Sequence, residues 1–474
     1  MKMRKTLILL VCILLWAAAL AETALPDGVC EPDAFTFSGG SGRVEITCPQ
    51  LTLEGGAATA SIVFSSPNYT TVSLDGVVYE GAHTEGATVF ELPVPLNRAF
   101  DIAAVTTAMS KPHEITYTLF VRLDAAGGGV PGLAYESSLA LDYAEGFSVD
   151  RYEGGCLLIT VKDGDRCLVL PEGMPVPEGI DPAVLVLRRP VERVYLAATS
   201  AMALFDRLAA LDSVRFSSLQ PEDWSVENAA AAMRSGDMLF AGKYSEPDYE
   251  LLLREGCGLA VESTMILHTP KVREMLELLG IPVFVDRSSY EPHPLGRTEW
   301  IKLYGALLDR EAEAEAFFDS QKEIVEALAD YPPSGKTVAF FYIGADGKAV
   351  VRGADDYVAR MIALGGGDYV FADMDGQERG HASVSITMED FYAAAVDADY
   401  LIYNTAIDKA VSGLDDLTAR SALLADFRAV REGHVFCTGG DLYQATDTAA
   451  ALIVDIYGML NGQEDGMVFL RKMN

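Results

Sequence analysis

Histidine and cysteine are scarce in this chain, with six and seven residues respectively among 474. A site for a bare metal ion needs several histidine, cysteine, aspartate or glutamate side chains at characteristic spacing, and no such Cys/His spacing occurs. The sequence therefore disfavours direct capture of zinc or manganese. The motifs G-x-S-x-G and H-E-x-x-H, the Walker loop and the dinucleotide fingerprint are also absent. We therefore expect no enzymatic activity and no cofactor of the protein's own.

Basic residues are few compared with acidic ones: 36 Lys and Arg stand against 69 Asp and Glu, a net charge of −33. Such a surface repels nucleic acid and anionic lipid head groups. The acidic residues are spread along the chain and are not gathered in one run, which favours a role in solubility over a sink for cationic ligands.

The chain also lacks a hydrophobic run long enough to span a membrane comfortably. Its one apolar run near the start, Leu7 to Leu15, follows Lys2, Arg4 and Lys5 and precedes Ala19-Leu20-Ala21. This pattern is typical of a signal peptide, residues 1–21, so we expect export to the periplasm, the cell surface or the extracellular space. No cysteine directly follows the small-residue site, so the sequence does not support a lipoprotein anchor and leaves the mode of retention at the cell surface open.

Six of the seven cysteines follow this leader, because only Cys12 lies within it. An ideal two-residue turn at Asp163-Gly164 pairs Thr160 with Cys167 and puts Cys156 about 13 Å away at 3.3 Å per residue. That distance exceeds disulfide reach. The pair Cys30 and Cys48 is the better candidate for a disulfide bond.

Residues 31–125 read as short strands rich in Val, Ile, Thr, Phe and Tyr, separated by Gly-Gly, Pro-Asn and Asp-Gly turn signals. This pattern predicts an antiparallel β-sandwich of immunoglobulin-like architecture. Residues 126–142, which include Gly127-Gly128-Gly129, are a predicted linker. The predicted strands are Arg43 to Thr47, Ala58 to Phe64, Thr70 to Leu74, Thr88 to Val94, Asp101 to Thr106 and Glu114 to Leu123.

From about residue 143 a β-hairpin leads into alternating strand and helix patterns, which predict α/β architecture with parallel sheets. We expect two lobes, residues 143–297 and 334–474, with a helical connector at 298–333. The strands expected are Val194 to Ala198, Val214 to Ser217, Met238 to Ala241, Leu259 to Val261, Ile281 to Val285, Thr337 to Ile343, Tyr369 to Phe371, Tyr400 to Tyr403 and His434 to Cys437. The helices expected include Ala201 to Leu211, Val226 to Arg234, Asp248 to Glu255, Pro270 to Leu279, Asp356 to Leu364, Met388 to Ala394, Ala419 to Val430 and Thr446 to Leu460.

The connector contains a long amphipathic helix, predicted from Glu311 to Asp330. Apolar residues recur on one of its faces at three- and four-residue spacing, with Glu, Asp and Lys on the other. About twenty helical residues span roughly 30 Å, the width of a small domain.

Ligands of open parallel α/β sheets bind beyond the carboxyl ends of the strands. The residues selected by this rule are rich in Tyr, Arg, Lys, Ser and Thr, which suits a bulky, partly anionic ligand. They comprise Thr199, Ser200, Asn404 and Thr438, the stretch Glu262 to Met265, and the predicted ligand-binding residues Lys243, Tyr244, Met265, Arg287, Tyr290, His293, Arg297, Tyr342, Arg352, Tyr403 and Tyr443.

Several of these residues have a structural alternative. Arg297 could cap its helix or pair with Glu299, and Tyr244 and Tyr290 could pack on the lobe surface. His293 lies between two prolines, where it could either ligate haem or a metal or serve a purely structural role. We predict no metal ligands among them.

The strand Ile281 to Val285, the loop SSYEPHPLGRTEW, the following YGALL and the acidic helix resemble the siderophore, haem and cobalamin class of ABC-transporter substrate-binding proteins, the helical-backbone (class III) periplasmic binding proteins. The resemblance implies two α/β lobes joined by one rigid helix, here preceded by the extra sandwich. It implies a non-enzymatic, monomeric protein that captures an iron–siderophore, haem or corrinoid-type chelate. The implied partner is a membrane permease/ATPase complex. Glu227 and Glu389 match the places of the family's docking glutamates, and the alternative is that they are ordinary first-turn carboxylates favoured by the helix dipole.

Two questions stay open at this level. The same two-lobe fold could serve a cell-surface adhesion or sensor protein without transport. The sandwich could be a spacer or an adhesion module; it also resembles small haem-binding sandwiches, but their Tyr-x-x-x-Tyr signature fails because Val121 follows Tyr117 by four residues. Met109 and His113 are loop residues or soft ligands.

Overall fold

The structure is a computed structural model that describes residues 27–40, 44–55, 57–84, 86–97, 99–108, 112–123, 129–133, 135–162, 164–374 and 383–474. The predicted signal peptide, Met109 and the Gly127-Gly128 part of the predicted linker lie outside these residues. The chain forms two compact units. The first comprises residues up to 137 with 151–154 and 175–184, and the second comprises 138–150, 155–174 and 185–474.

The first unit is an antiparallel β-sandwich of two five-stranded sheets, which confirms the predicted all-β architecture. One sheet has the order β1-β3-β4-β8-β7 and the other β2-β10-β9-β5-β6. Ring contacts between Phe64, Tyr69 and Tyr117 join the two sheets in the core. The strands are β1 Gly28–Cys30, β2 Ala34–Gly39, β3 Ile46–Glu54, β4 Ala57–Phe64, β5 Tyr69–Leu74, β6 Val77–Glu80, β7 Ala82–Thr84, β8 Ala87–Pro93, β9 Ala99–Thr106 and β10 His113–Arg122.

The cysteine pairing predicted for this unit is wrong, because Cys30 and Cys48 are free thiols. Strand β1 runs antiparallel to β3 with Cys30 opposite Leu51. Cys48 therefore lies three residues further along β3, about 10 Å away at 3.3 Å per residue, which is too far for a disulfide bond.

The first lobe of the second unit contains a parallel sheet with the order β18-β17-β16-β21-β22, and its alternation of strands and helices confirms the predicted α/β class. Its core includes the fully buried strand residues Val194, Leu196, Leu259 and Val261. The elements between residues 135 and 286, of which residues 135–137 and 151–152 are counted with the first unit, are β11 Tyr135–Ser138, β12 Phe147–Tyr152, β13 Cys156–Val161, β14 Arg166–Leu170, β15 Leu185–Arg188, β16 Val194–Leu196, α1 Met202–Arg207, β17 Val214–Ser217, α2 Glu227–Ser235, β18 Leu239–Phe240, β19 Gly242–Lys243, β20 Glu246–Pro247, α3 Tyr249–Glu255, β21 Leu259–Ser263, α4 Pro270–Leu278 and β22 Val283–Asp286.

The hairpin of β13 and β14 differs from its predicted register by one residue. Ile159, and not Thr160, lies opposite Cys167. The reason is that Val161 N–H donates to Asp165 O at 2.9 Å, which leaves three residues in the connection instead of two. Cys156 and Cys167 are both free thiols.

Two consecutive helices, α5 Pro294–Leu308 and α6 Glu311–Leu328, follow β22. Asp309 separates them in the left-handed conformation, with φ of 61°. Helix α5 is buried on all sides, from Pro294 to Leu307, as expected of a helix enclosed in a core. A Cβ on Gly305 would lie 2.6 Å from the Cβ of Ala314, so this glycine is what allows α5 and α6 to pack closely.

Helix α6 is the predicted connecting helix, and its bounds confirm the periodicity argument. It buries a single stripe formed by Ala314, Phe318 and Val325. Its 18 residues span about 27 Å at 1.5 Å per residue. It packs against α5 on the side of the first lobe and against the last long helix, α11 (Ala449–Leu460), of the second.

The second lobe is a mixed sheet and not a purely parallel one. Strands β23, β27 and β28 are parallel, whereas β24, β26 and β29 are antiparallel to their neighbours. The predicted helix 419–430 is three short helical segments, because Ser421 and Phe427 are extended. The elements are β23 Thr337–Ile343, β24 Ala349–Arg352, α7 Tyr357–Leu364, β25 Asp368–Tyr369, β26 Ser383–Ile386, α8 Met388–Ala395, β27 Tyr400–Tyr403, α9 Leu414–Arg420, α10 Arg428–Glu432, β28 Val435–Thr438, α11 Ala449–Leu460 and β29 Leu470–Lys472.

Within the described ranges, none of the helices combines the length and apolar character needed to span a bilayer.

Candidate functional site

Three of the predicted ligand-binding residues, Arg297, Arg352 and Tyr443, come together where α5 meets the second lobe. With Tyr357 and Asn404 they form the arginine–tyrosine cluster. Arg297 lies on α5, Arg352 ends β24, Tyr357 begins α7, Asn404 follows β27, and Tyr443 precedes α11. The cluster therefore joins residues from both sides of the connecting helix α6.

Arg297 is the exceptional member of the cluster. Its side chain is 8% exposed, and its guanidinium carbon lies 3.8 Å from the centre of the Tyr357 ring. Among the described residues it forms neither a side-chain hydrogen bond nor an ion pair, and the hydroxyl of Tyr357 is likewise buried without a partner. The predicted alternative, a pair with Glu299, is not formed, because Glu299 binds Lys302 at 3.0 Å. A stacked, unpaired guanidinium is suited to bidentate recognition of a carboxylate.

Arg352 is held firmly on the other side of the cluster. It donates to the Tyr443 hydroxyl and to Ser383 Oγ at 3.2 Å, and it lies 3.7 Å from the Asp356 carboxylate. Asn404 Nδ2 donates to the same Tyr443 hydroxyl at 2.8 Å. Burial raises the pKa of Tyr443, so its hydroxyl stays protonated at neutral pH.

The parallel-sheet rule does not account for the position of Arg352. Strand β24 runs antiparallel to β23, so its carboxyl end does not lie at the edge where the parallel strands end. Arg352 joins the cluster through its side chain, which donates to the same Tyr443 hydroxyl as Asn404 at the end of β27.

The two lobes contact each other close to this cluster. Gln444 accepts hydrogen bonds from the backbone N–H and the hydroxyl of Ser225, at 2.8 and 2.7 Å, and donates to Asp223 O at 2.9 Å. Arg207 pairs with Asp447 at 2.7 Å. The cavity beside Arg297 measures only about 20 Å³, which is room for a single water-sized group. In this arrangement of the lobes the cavity is too small for a bulky ligand.

Arg287 and Tyr290 line a different cavity, which we call the Arg287 cavity. Its volume is about 200 Å³. It shares no residue with the cavity beside Arg297. The residues from Arg287 to Arg297, predicted as one ligand loop, therefore line two separate cavities. Its walls are Glu145, Gly146, Lys162, Arg287, Tyr290, Glu291 and Pro292.

His293 has a structural environment. Its ring stacks on Tyr143 with centroids 4.4 Å apart, and its Nδ1 accepts a hydrogen bond from Leu295 N at 3.2 Å at the start of α5. Burial and the charge of Arg360 lower the pKa of His293 to about 4. Its ring is therefore neutral at pH 7.

Two buried glutamates of the same loop and helix bind the chain segment 142–146, a role that the sequence did not reveal. Glu299 accepts hydrogen bonds from the N–H groups of residues 142, 143 and 144, each at 2.8 Å. Glu291 accepts from the N–H groups of residues 145 and 146 at 2.9 and 2.8 Å, and from Trp300 Nε1 at 2.9 Å. No signal in the sequence distinguishes these two glutamates from solvated ones.

Lys243, Tyr244 and Met265 lie elsewhere on the first lobe and line neither cavity. Lys243 is exposed on the short hairpin of β19 and β20, Tyr244 packs partly against the lobe's smaller core, and Met265 is 46% exposed. Glu262, at the end of β21, is fully buried, and neither of its carboxylate oxygens has a hydrogen-bond partner among the described residues.

Tyr342 and Tyr403 lie in the sheet of the second lobe. Tyr342 is half-buried on β23. Tyr403 is fully buried; its hydroxyl donates to Asp408 Oδ2 at 2.8 Å and accepts from Ile343 N at 3.2 Å. The satisfied hydroxyl of Tyr403 therefore has little capacity left for a ligand.

Glu227 and Glu389 both lie in the first turn of a helix, α2 and α8 respectively, and both are exposed. Glu227 pairs with Arg234 of its own helix at 2.7 Å. No group of three or more His, Cys, Asp or Glu side chains placed to hold a metal ion occurs in the described part of the chain.

Part of this chain matches a known protein family. Residues 270–442, which cover β22, α5, α6 and most of the second lobe, match the family model described as periplasmic binding protein. An uncharacterized lipoprotein of Methanocaldococcus jannaschii is 25% identical over 300 residues, which cover 59% of this chain and 68% of the relative.

Solved structures with similar folds include the periplasmic heme binding protein of Vibrio cholerae, with 17% identity, a TM-score of 0.47, and coverage of 57% of this chain and 98% of that one. A possible iron-binding periplasmic solute-binding protein of Staphylococcus epidermidis has 17% identity, a TM-score of 0.45, and coverage of 57% and 98%. The match of residues 270–442 to the family model confirms the resemblance seen in the sequence between Ile281 and Asp330.

Proposed function

We propose that this protein is the exported solute-binding component of an ABC importer. It captures an iron–siderophore, haem or corrinoid-type chelate between its two lobes and delivers it to a membrane permease, without catalysing a reaction. The observation that carries the proposal is the arginine–tyrosine cluster, in which a buried Arg297 stacks on Tyr357 of the second lobe and Arg352 is bound to Tyr443. All members of the cluster except Tyr443 lie within the matched segment 270–442.

The chemistry of the cluster fits the anionic side groups of such chelates. A guanidinium stacked on a ring binds a carboxylate or another oxyanion through two parallel hydrogen bonds, and tyrosine rings pack against a planar macrocycle. The contacts of Gln444 with residues 223 and 225 are exposed hydrogen bonds, each of which stabilises the closed arrangement by only about 1 kcal/mol. We propose that they open to admit the ligand.

A titration with three probes tests the ligand class: hemin, cyanocobalamin and a ferric hydroxamate, each with its own absorption spectrum. We expect one of them to bind saturably and to quench the fluorescence of Trp224 and Trp300, the two described tryptophans. Arg297→Gln should weaken that binding about tenfold or more, whereas Arg431→Gln, an exposed arginine of the same lobe as Arg352, should not. Absence of saturable binding for all three probes would refute the proposed ligand class.

Delivery is proposed to use Glu227 and Glu389, whose carboxylates are exposed at the starts of α2 and α8. The Arg234 pair of Glu227 is mostly solvent-exposed, so it opposes a permease arginine only weakly. The double variant Glu227→Gln/Glu389→Gln should abolish uptake in cells and leave probe binding intact. The control is Glu250→Gln/Glu323→Gln, which removes two other exposed helix carboxylates. Unchanged uptake in the first double variant would remove these residues from docking, and full probe binding without any uptake in the unmodified protein would favour a sensor or adhesion role.

A further inference from the structure

The Arg287 cavity is lined by charged groups that take no part in the proposed chelate site. Arg287 follows β22, and its Nε–H is buried without a hydrogen-bond partner among the described residues. A buried donor that belongs to a charged group and lacks an acceptor costs a few kcal/mol. Arg287 is also one of the residues that line a cavity of about 200 Å³.

Two carboxylates close to Arg287, Glu291 in the wall of the cavity and Asp286 next to it in the chain, are already engaged with other donors. Glu291 accepts three hydrogen bonds, from residues 145, 146 and Trp300. Asp286 accepts from the N–H and hydroxyl of Ser288 and from the Tyr304 hydroxyl. Neither acid forms an ion pair with Arg287, so the guanidinium charge is not neutralised by direct contact within the described chain.

The remaining walls supply a second cation and an aromatic surface. Lys162 is exposed and forms no ion pair with a described residue, and Tyr290 is 63% exposed beside it. The rim also carries one exposed carboxylate, Glu145. A cavity of this size holds a small solute and not a macrocyclic chelate.

We propose that the Arg287 cavity binds a small oxyanion, either a carboxylate or a phosphate group, independently of the chelate site. The Arg287 guanidinium is the main donor and pairs with two oxygens of the anion. Lys162 adds a second positive charge, and Glu145 weakens binding by repulsion. The two cations belong to separate elements, the turn after β13 and the loop after β22.

Calorimetric titration of the full chain with inorganic phosphate, and separately with acetate and citrate, tests this site against sodium chloride at equal ionic strength. We expect saturable one-to-one binding of at least one of these anions in the millimolar range or tighter. Which anion binds most tightly identifies the source of the oxyanion: phosphate, a monocarboxylate or a polycarboxylate.

Three variants and a matched control distinguish a specific loss of anion binding from unfolding, because unfolding cannot strengthen binding in one variant and weaken it in another. Arg287→Gln should weaken binding about tenfold or more, Lys162→Gln should weaken it less, and Glu145→Gln should strengthen it. Lys271→Gln removes an equal charge from an exposed position of α4 and should leave it unchanged. The proposal is overturned if no anion binds the unmodified protein saturably, or if Arg287→Gln binds as tightly as Lys271→Gln does. Loss of chelate binding alone leaves these titrations unaffected, so the two proposals fail separately.

Discussion

Replacing Glu262 by Met should change how the stability of the two-lobe unit depends on pH. Glu262 is fully buried at the end of β21, and both of its oxygens lack partners among the described residues. Burial raises the pKa of its carboxyl from 4.5 to about 8. The titratable groups that face it are Tyr195, Tyr249 and Cys257, and all three are neutral below pH 8 because burial raises the pKa of each.

The magnitude follows from proton linkage. Below pH 4.5 the carboxyl is protonated in the folded and the unfolded chain, so its full contribution to stability is present. Between pH 4.5 and about 8 the unfolded chain ionises while the folded protein keeps the proton, and stability falls by about 1.4 kcal/mol per pH unit. Above pH 8 both states are ionised and the loss stops. The total loss across this range is roughly 3 to 5 kcal/mol.

Glu262→Met has a similar length and no proton to bind. The difference in unfolding free energy, variant minus unmodified protein, should therefore rise in favour of the variant by roughly 3 to 5 kcal/mol from pH 4.5 to pH 8. Urea unfolding followed by tryptophan fluorescence measures it, since Trp224 and Trp300 both lie in the second unit. Glu250→Gln, an exposed carboxylate on the neighbouring helix α3, should give a nearly flat difference. A flat difference for Glu262→Met as well would refute the neutral, buried carboxyl.

Three further predictions concern Glu299, Tyr69 and His293. Glu299→Ala should lower the unfolding free energy by about 3 to 5 kcal/mol, because three backbone donors and the buried Lys302 lose their acceptor, whereas exposed Glu315→Ala should change it by about 0.5 kcal/mol or less; equal losses in urea unfolding would contradict this. Tyr69→Phe should destabilise the sandwich by about 1 kcal/mol, since its hydroxyl bonds that of Tyr117 at 2.7 Å in the core, and the double Phe variant should lose less than the sum of the single losses in thermal unfolding. The NMR titration of His293 should show its midpoint near pH 4; a midpoint near 6.5 would show that its ring is solvated.

The sequence pattern predicted the secondary structure correctly where periodic burial of apolar side chains determines it. The stripe through Ala314, Phe318 and Val325 fixes α6 within two residues of its predicted end, and the strands of the sandwich follow the alternation of buried residues. The sequence pattern gave wrong predictions where the local backbone conformation determines the helix bounds or the strand register. The extended Ser421 and Phe427 divide the predicted helix 419–430, and the three-residue turn after Val161 shifts the register of β13.

The sequence indicated which residues are candidates for the site, but it did not indicate which of them lie together. The strand-end rule chose Arg297 and Tyr443, which both belong to the cluster, but it also chose Lys243 and Met265, which line neither the cavity beside Arg297 nor the Arg287 cavity. Tyr357, the ring under Arg297, was missed because it follows the N-cap Asp356 and reads as an ordinary first-turn residue. Which side chains meet across two lobes depends on long-range packing, and a single sequence does not encode that as a local pattern.

The loop SSYEPHPLGRTEW carries the family resemblance, yet most of its side chains hold the protein's own chain. Glu291 and Glu299 bind five consecutive backbone N–H groups of residues 142–146, Trp300 bonds to Glu291, and His293 stacks on Tyr143. Arg297 stacks on Tyr357 of the second lobe, and Thr298 donates to Thr446 O of that lobe at 2.9 Å. Arg287, just before the loop, lines a separate cavity. Because these contacts stabilise the fold, the same motif is compatible with different ligands. The loop therefore identifies the fold, and the ligand has to be sought through Arg297 and its partners in the second lobe.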